Sequence, residues 1–153
     1  MTFGPQGSGG ARVYDPKTVG DILDLHKKFG HDELDTARGY CNGEEEAFIT
    51  KVGWKERGLK LASKCYPSEP GGHSTKKLRE TLEYSLSQLK TDKIDLYYLH
   101  APDWDTPFEE TVKAMDDLYK EGRVAEWGVS NFTVSIYLFV FILIAGVASC
   151  GDV

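Results

Sequence analysis

The feature that most constrains this chain is an alternation of short apolar segments with amphipathic helical segments. Between residues 33 and 131, four short stretches predict β-strands at 33–35, 59–64, 95–100 and 124–131, with helical patterns before and between them. The steps between them are those of βαβ units, which need about 30 residues each. Strands joined by helices pair in parallel through right-handed crossovers. The sequence therefore predicts an α/β fold whose strands all end at one edge of a parallel sheet.

The predicted helices begin at residues that commonly cap helices. Asp15 precedes the first helix and Ser74 precedes the third, while Thr106 and Glu109 have the spacing of a capping box with Pro107 at the first helical position. Apolar residues at helical spacing form one stripe in each of these segments, and we interpret the stripes as core. The acidic run GEEEAF is interpreted as the solvated start of a short helix, favoured by the helix dipole.

Each predicted strand ends on, or is closely followed by, polar or titratable residues. These are Asp35 with Tyr40 five positions later, Lys64, His100, and the pair Ser130 and Asn131. A single histidine or lysine in such a place is most often structural. Four strand ends together predict a functional site, because the carboxyl ends of parallel strands are where barrels and open α/β sheets bind ligands.

The residue types at this edge suit proton delivery to a carbonyl oxygen. A free tyrosine has a pKa of about 10, too high for an efficient general acid at neutral pH. A lysine ammonium within hydrogen-bonding distance stabilises a phenolate, and a carboxylate beyond it keeps the lysine charged and in place. A histidine beside the phenol could orient the carbonyl or share the proton. No metal site is predicted, because the histidines lack carboxylate or cysteine partners at ligand spacing.

Four stretches, ELDTARGY, LASK, DLYYLHAPD and EWGVSN, resemble the aldo-keto reductases, a family of NADP-dependent reductases built on a (β/α)8 TIM barrel. Residues 98–132 are most similar to the aflatoxin-aldehyde reductase branch. The resemblance implies that residues 1–132 form a partial reductase domain with about the first five strands of that barrel. A complete barrel needs about 250 residues, so the later strands and the loops that grip the cofactor are absent from this chain.

The resemblance also implies a role for the residues at the predicted edge. The catalytic residues would be Tyr40 as proton donor, Lys64 as the residue that makes it a stronger acid, Asp35 as the partner of the lysine, and His100 as the group that orients the carbonyl. Asp35, Ser130 and Asn131 would bind the cofactor NADP(H), the last two through the nicotinamide carboxamide. Trp104 would line the substrate pocket with Tyr40 and His100, or pack on the barrel rim. The implied reaction is NADPH-dependent reduction of aldehydes or ketones to alcohols.

The residues from 133 to 153 depart from the family pattern and are treated as a separate apolar tail. No charged residue occurs from Phe132 to Gly151, a length that just meets the 20 or so residues of a membrane-spanning helix. The apolar residues surround the helix without forming a stripe. Three explanations stay open: an error in the gene model or a retained intron, a membrane anchor on a truncated variant, or a buried element that closes the half-barrel. An unclosed sheet also predicts self-association.

Composition and charge limit the partners and the cellular location that we expect for this protein. The net charge of −6 disfavours a nucleic-acid partner, and three cysteines without a C-x-x-C pair indicate a reducing compartment. The first fifteen residues lack the apolar core of a signal peptide, so we expect a cytoplasmic protein, or a membrane-associated one through residues 132–151. The alternative to a reductase, active or inactive in this form, is a non-catalytic scaffold or membrane-associated protein with the same fold.

Two further features near the predicted site are interpreted as having no catalytic part. The glycine-rich stretch GPQGSGG matches neither a dinucleotide-binding fingerprint nor a P-loop, and is expected to be a flexible loop. Cys41 and Cys65 adjoin the candidate segments, but nothing nearby in the sequence would activate a thiolate.

Overall fold

The computed structural model describes residues 2–149, and the side chains of residues 2–144. One parallel sheet contains, in chain order, β1 (Glu33–Asp35), β2 (Lys60–Cys65), β3 (Ile94–Leu99) and β4 (Val124–Val129). The helices are α1 (Pro16–Lys28), α2 (Glu45–Val52), α3 (Thr75–Leu89), α4 (Phe108–Lys120) and α5 (Val134–Ser149), and a 3-10 turn spans Tyr40–Gly43. The predicted parallel α/β architecture is confirmed. The described residues hold four strands rather than about five, because Phe3 and Val13 form only an isolated bridge.

The pairing register assigns every strand residue to one of two faces. Side chains of paired residues in a parallel sheet point to the same side, and successive side chains along a strand alternate. The helix-covered face carries Ser63 and Cys65 of β2, Tyr97 and Leu99 of β3, and Trp127 and Val129 of β4. The open face carries Asp35 of β1, Ala62 and Lys64 of β2, Leu96 and Tyr98 of β3, and Glu126 and Gly128 of β4.

The hydrophobic core lies between the helix-covered face and helices α1 to α4. Its fully buried members include Leu61, Leu78, Leu82, Leu99 and Met115. On the opposite side of the sheet, the open face lines a wide cavity of about 630 Å³ with Glu33, Asp35, Lys60, Leu96 and Tyr98 among its walls. The predicted helix stripes are therefore core, while the open face exposes a mixture of charged and apolar side chains.

The cap predicted at the first helix is confirmed. The Asp15 carboxylate accepts the backbone N–H of Thr18 at 2.9 Å, and Pro16 occupies the first turn. Ser74 does lie at the N-cap of α3, but its side chain makes no capping bond. The first N–H of that helix, from Thr75, donates instead to the Glu110 carboxylate of α4 at 2.9 Å.

The capping box predicted for α4 is wrong. The helix begins at Phe108, so Pro107 takes the cap position rather than the first helical one. The Thr106 hydroxyl donates to the Asp103 carboxylate at 2.7 Å. Thr106 therefore lies one residue before the cap position, and its hydroxyl is bonded to the preceding loop.

Helix α5 packs beside α4, where the Phe108 and Phe139 rings meet at 6.2 Å. Among its described side chains only Val140 is buried, and the large apolar side chains exposed to solvent are those of Val134, Tyr137, Leu138, Phe139, Phe141, Ile142 and Ile144. A buried closing element is therefore the wrong explanation for this part of the tail. Within residues 2–149, no helix is both long enough and apolar enough to cross a membrane. Residues 150 and 151 of the apolar run lie outside the described residues.

Candidate active site

Strands β1 and β2 bring Asp35 and Lys64 together at the carboxyl edge of the sheet. Asp35 pairs with Ala62, so Lys64, two residues further along β2, extends past the end of β1 on the same face. The Lys64 ammonium donates to both Asp35 carboxylate oxygens at 2.6 Å. The lysine side chain is only 9% exposed, whereas the aspartate is 60% exposed. Because the carboxylate is partly hydrated, this ion pair has a smaller desolvation cost than a fully buried pair.

The same ammonium reaches Tyr40. Lys64 Nζ lies 3.2 Å from the Tyr40 hydroxyl oxygen and 2.9 Å from the Thr36 carbonyl oxygen. A phenol oxygen that accepts a hydrogen bond from an ammonium is held where its own proton points away from the lysine. The predicted trio of Asp35, Lys64 and Tyr40 is therefore assembled through direct contacts.

The chain turns back sharply after Tyr40. Cys41, Asn42 and Gly43 follow with φ values of 51°, 54° and 85°, all in the left-handed region. Such a conformation costs about 1–3 kcal/mol at each non-glycine residue, so other contacts must hold it. One of these is the Arg38 guanidinium, which donates to the Gly43 carbonyl at 2.8 Å across the turn.

His100 closes the other side of Tyr40. Its backbone N–H donates to the Cys65 carbonyl at 2.8 Å, continuing the pairing of β3 with β2 by one residue. The His100 and Tyr40 rings meet edge to face at 5.7 Å. Burial lowers the pKa of His100, the Lys64 ammonium lowers it further, and the Asp35 carboxylate opposes the shift. The imidazole is thus neutral near pH 7, and its buried Nδ1 has no hydrogen-bond partner among the described residues.

The end of β4 is tied to the end of β3. The Ser130 backbone N–H donates to the Leu99 carbonyl at 2.8 Å, and the Asn131 side-chain Nδ2 donates to the His100 carbonyl at 2.7 Å. Asn131 has a φ of 60°, which turns the chain out of the strand. Ser130 and Asn131 therefore lie at the same edge as His100, as the strand order predicts.

Trp104 does not join this group. It is 72% exposed and meets the Phe108 ring edge to face at 6.1 Å. A depression of about 460 Å³ lies beside the candidate residues, and its walls are Arg38, Gly39, Tyr40, Asn42, Gly43, Tyr66, Ser68 and His100. Tyr66, whose ring meets His100 at 5.8 Å, is not among the residues predicted from the sequence. Strand alternation could have indicated it, since it follows Lys64 by two positions.

Two carboxyl groups near the site are buried, which corrects the interpretation of GEEEAF as a solvated run. Glu45 and Glu46 are 2% and 0% exposed. Burial raises the pKa of Glu45 to about 7, although the Lys64 ammonium and the Ala37 backbone N–H pull it down. Burial also raises the pKa of Glu46, which lies behind the sheet and accepts the Ser63 hydroxyl at 2.7 Å.

Several known proteins are similar to this chain in sequence or in structure. The model of the aldo/keto reductase family matches residues 1–138. The chain is 36% identical over 115 residues to an aldo-keto reductase of Pseudocercospora fijiensis, covering 72% of this chain and 39% of that protein. It is 41% identical over 107 residues to aflatoxin B1 aldehyde reductase member 2 of Mus musculus, covering 67% and 29%. A crystal structure of an aldo/keto reductase from Klebsiella pneumoniae in complex with NADP and acetate is similar at 33% identity and a TM-score of 0.67, covering 78% and 41%. The chain thus spans about two fifths or less of the length of these proteins.

Proposed function

The chain belongs to the aldo/keto reductase family, and from this premise we propose that it carries the proton-donating half of an NADPH-dependent carbonyl reductase. The observation that supports this most directly is the contact series from Asp35 through Lys64 to the Tyr40 hydroxyl, at 2.6 and 3.2 Å. The substrate class is aldehydes, including aromatic ones, as the relatives named for aflatoxin aldehyde suggest. Hydride and proton together convert RCHO to RCH₂OH.

In this proposal Tyr40 is the proton donor, and Lys64 stabilises the phenolate that forms when the proton leaves. When the carbonyl oxygen gains negative charge, the Tyr40 proton moves to it and the remaining phenolate is stabilised by the adjacent ammonium. Asp35 keeps Lys64 charged and oriented, since both carboxylate oxygens accept from Nζ. Bound NADPH would supply the hydride to the carbonyl carbon.

His100 is proposed to orient the carbonyl rather than to protonate it. A neutral imidazole carries one N–H donor and is a weak acid, and burial and Lys64 favour that neutral form by lowering the pKa of His100. The His100 ring lines the depression beside Tyr40, where it could present an N–H to a bound carbonyl oxygen. The imidazole and the Tyr40 phenol would thus meet the same substrate oxygen from two sides.

Ser130 and Asn131 fit the carboxamide of a nicotinamide ring. Asn131 uses its Nδ2 on the His100 carbonyl, which leaves its amide oxygen as the acceptor for a carboxamide NH₂. The Ser130 hydroxyl, 3.2 Å from that nitrogen, can donate to the carboxamide oxygen. Asp35, more than half exposed beside Lys64, is proposed to contact the cofactor as well.

For the substrate pocket we propose the depression between Tyr40 and His100, with Tyr66 as its aromatic wall. Tyr66 is 56% exposed and so has surface available to an aromatic aldehyde. Trp104 would reach this pocket only if its loop moved. Replacing Trp104 by alanine should therefore change KM for an aromatic aldehyde less than replacing Tyr66 does.

The proposal is tested by following NADPH consumption with a small aromatic aldehyde in wild type and Tyr40→Phe. Loss of a general acid costs about 10²–10⁴-fold in rate, so Tyr40→Phe should lose at least about 100-fold in kcat while its NADPH affinity stays unchanged. Tyr14→Phe, an exposed tyrosine change, is the matched control. Wild-type protein that neither binds nor oxidises NADPH would contradict the proposal for this chain.

A second candidate function, a scaffold that associates with itself or with membranes, has support in α5. Seven large apolar side chains of this helix are exposed, among them Ile142 at 67%. Ile142→Glu should therefore lower self-association in sedimentation measurements, or release the protein from vesicles, with no change in the fold. Wild-type protein that is monomeric and does not bind vesicles would exclude this candidate and favour a cytoplasmic reductase.

A further inference from the structure

The N-terminal loop, residues 2–13, packs directly on the turn that carries Tyr40. Ser8 is 9% exposed, and its hydroxyl donates to the Cys41 carbonyl at 2.5 Å. The Cys41 thiol in turn donates to the Phe3 carbonyl at 3.3 Å. Two contacts in opposite directions thus connect the loop to the residue that follows Tyr40.

Two glycines allow the loop to approach this closely. A Cβ atom on Gly4 would lie 2.7 Å from the Cys41 Sγ, and one on Gly9 would lie 2.6 Å from the Asn42 Oδ1. Both distances are too short for a side chain to fit without movement. Gly4 and Gly9 therefore allow the loop to contact the Tyr40 turn at Cys41 and Asn42.

The loop is also fixed internally, so its interpretation as a flexible loop is wrong. Backbone hydrogen bonds join Arg12 to Thr2 at 2.8 Å and Gly4 to Val13 at 3.3 Å across its base. Within it, the Ser8 N–H donates to the Pro5 carbonyl and the Ala11 N–H to the Ser8 carbonyl, both at 3.1 Å. Hydrogen bonds within the loop thus fix the Ser8 backbone, and the Ser8 side chain adds the bond to Cys41.

The turn needs such support because its backbone is strained. Cys41 and Asn42 are consecutive non-glycine residues with left-handed φ values, and such residues persist only where surrounding contacts hold them. Arg38 supports the far end of the turn at Gly43, and Ser8 supports its near end at Cys41. Without Ser8, the Cys41 carbonyl would keep only the Glu44 backbone N–H, at 3.0 Å, as a described donor.

We propose that the N-terminal loop is a positioning element for the proton donor, with Ser8 as its positioning residue, an inference that rests on the proposed role of Tyr40. Ser8 acts through the Cys41 carbonyl on the backbone of Tyr40, whose hydroxyl must stay within hydrogen-bonding distance of Lys64. A misplacement of about 1 Å in a reacting group can cost about 10²-fold in rate, so a contact one residue away from Tyr40 is close enough to matter.

The test uses the full chain with tyrosines labelled with ¹³C at Cζ, and Tyr40→Phe identifies the Tyr40 resonance. Ser8→Ala should shift that resonance and lower kcat about tenfold without changing the affinity for NADPH. Ser8→Thr, which keeps the hydroxyl, should restore both. The matched control is Thr50→Val, which removes a hydroxyl that donates to the Gln88 carbonyl at 2.8 Å in the helix layer and should change neither.

The resonance separates this proposal from the proposed function, because it needs neither cofactor nor turnover. A shift in Ser8→Ala alone, in a protein without NADPH oxidation, would support the positioning contact and overturn the reductase. An unchanged resonance and kcat in folded Ser8→Ala, or an equal shift in Thr50→Val, would overturn the positioning role. If Ser8→Ala does not fold, Gly4→Ala, which forces its Cβ against Cys41, must shift the resonance for the proposal to stand.

Discussion

Tyr97 and Tyr98 are neighbours in β3, yet they belong to two regions with different tasks. Tyr97 lies on the helix-covered face, fully buried in the core with Leu99. Tyr98 lies on the open face, half-buried in the wall of the large cavity, at the register of Lys64. One residue along a strand thus separates side chains of the core from side chains of the open face, which also carries Asp35 and Lys64.

The two faces also treat buried charge differently. On the helix-covered side Glu46 is enclosed, and burial raises its pKa, so the structure favours the neutral acid. On the open side Lys64 is enclosed but its partner Asp35 is 60% exposed, so water shares in solvating the pair. The ion pair of the open face therefore has a lower desolvation cost, whereas burial on the helix-covered face favours the neutral form of Glu46.

The largest contrast should come from truncating the two tyrosines. Tyr97→Ala leaves a cavity in the packed core and should lower the free energy of unfolding by about 3–5 kcal/mol, whereas Tyr98→Ala, already open to the cavity, should cost about 1 kcal/mol. Urea unfolding followed by circular dichroism measures both. Equal losses for the two variants would mean that the open face is covered in solution, for example by a second copy.

The second-largest difference is expected between substitutions of the two lysines of β2 on the open face, Lys64 and Lys60. Lys64→Met removes the donor to Tyr40 and should reduce NADPH-dependent aldehyde reduction about 100-fold, a loss typical for a single electrostatic contact in an active site. Lys60→Met, on the same face but 61% exposed beside Asp32, should stay within about twofold. A comparable loss in both variants would show that the whole face, rather than its carboxyl edge, supports activity.

Much of this arrangement is predictable from sequence because it depends on local signals and topology. Strand alternation and helical stripes set the element order. Parallel pairing then brings Asp35, Lys64 and His100 to one edge without any knowledge of their contacts. The cap at Asp15 is likewise local, since its partner Thr18 is three residues away.

The rest depends on contacts between distant segments. The turn after Tyr40 accepts a hydrogen bond from Ser8, which lies 33 positions before Cys41. No local sequence pattern predicts a contact between residues so far apart. Glu45 and Glu46 have the sequence of a solvated helix start, and only the packing of α2 on the sheet encloses them. Thr106 fits a capping box in the sequence, but the helix begins one residue later than predicted and the hydroxyl bonds to Asp103 of the preceding loop.

A smaller difference between the two faces is expected in how the stability of the fold depends on pH. The pKa of Glu46 is raised from its ordinary 4.5 in the folded protein, so the unfolded chain loses this proton first as the pH rises. The contribution of Glu46 is therefore greatest below about pH 4.5 and is lost as the pH passes through the folded pKa. Glu46→Gln should flatten the decrease in stability as the pH rises above about 4.5, measured by urea unfolding.

The control for that measurement is Glu44→Gln, an exposed neighbour, which should leave the slope unchanged. Glu45, whose pKa is raised to about 7, acts with the same sign and remains in both variants, so the slope should flatten only in part. His73 acts in the opposite direction, because burial lowers its pKa and its contribution is lost as the pH falls below 6.5. A Glu46→Gln slope identical to wild type would show that Glu46 is hydrated, and that the helix-covered face is less closed than its packing indicates.

The smallest expected effect lies on the open face at Gly128, which pairs with Tyr98. A Cβ atom there would lie 3.1 Å from the Tyr98 Cε1, closer than an ordinary contact. Because Tyr98 borders the cavity, its ring can move aside, and Gly128→Ala should cost less than about 1 kcal/mol, offset in part by the lower entropy of the unfolded chain. Gly72→Ala, whose Cβ would meet the Pro67 backbone at 2.7 Å, should cost more because that contact cannot move aside. If Gly128→Ala were the costlier change, the Tyr98 ring would have to be fixed, and the open face would be as rigidly packed as the helix-covered one.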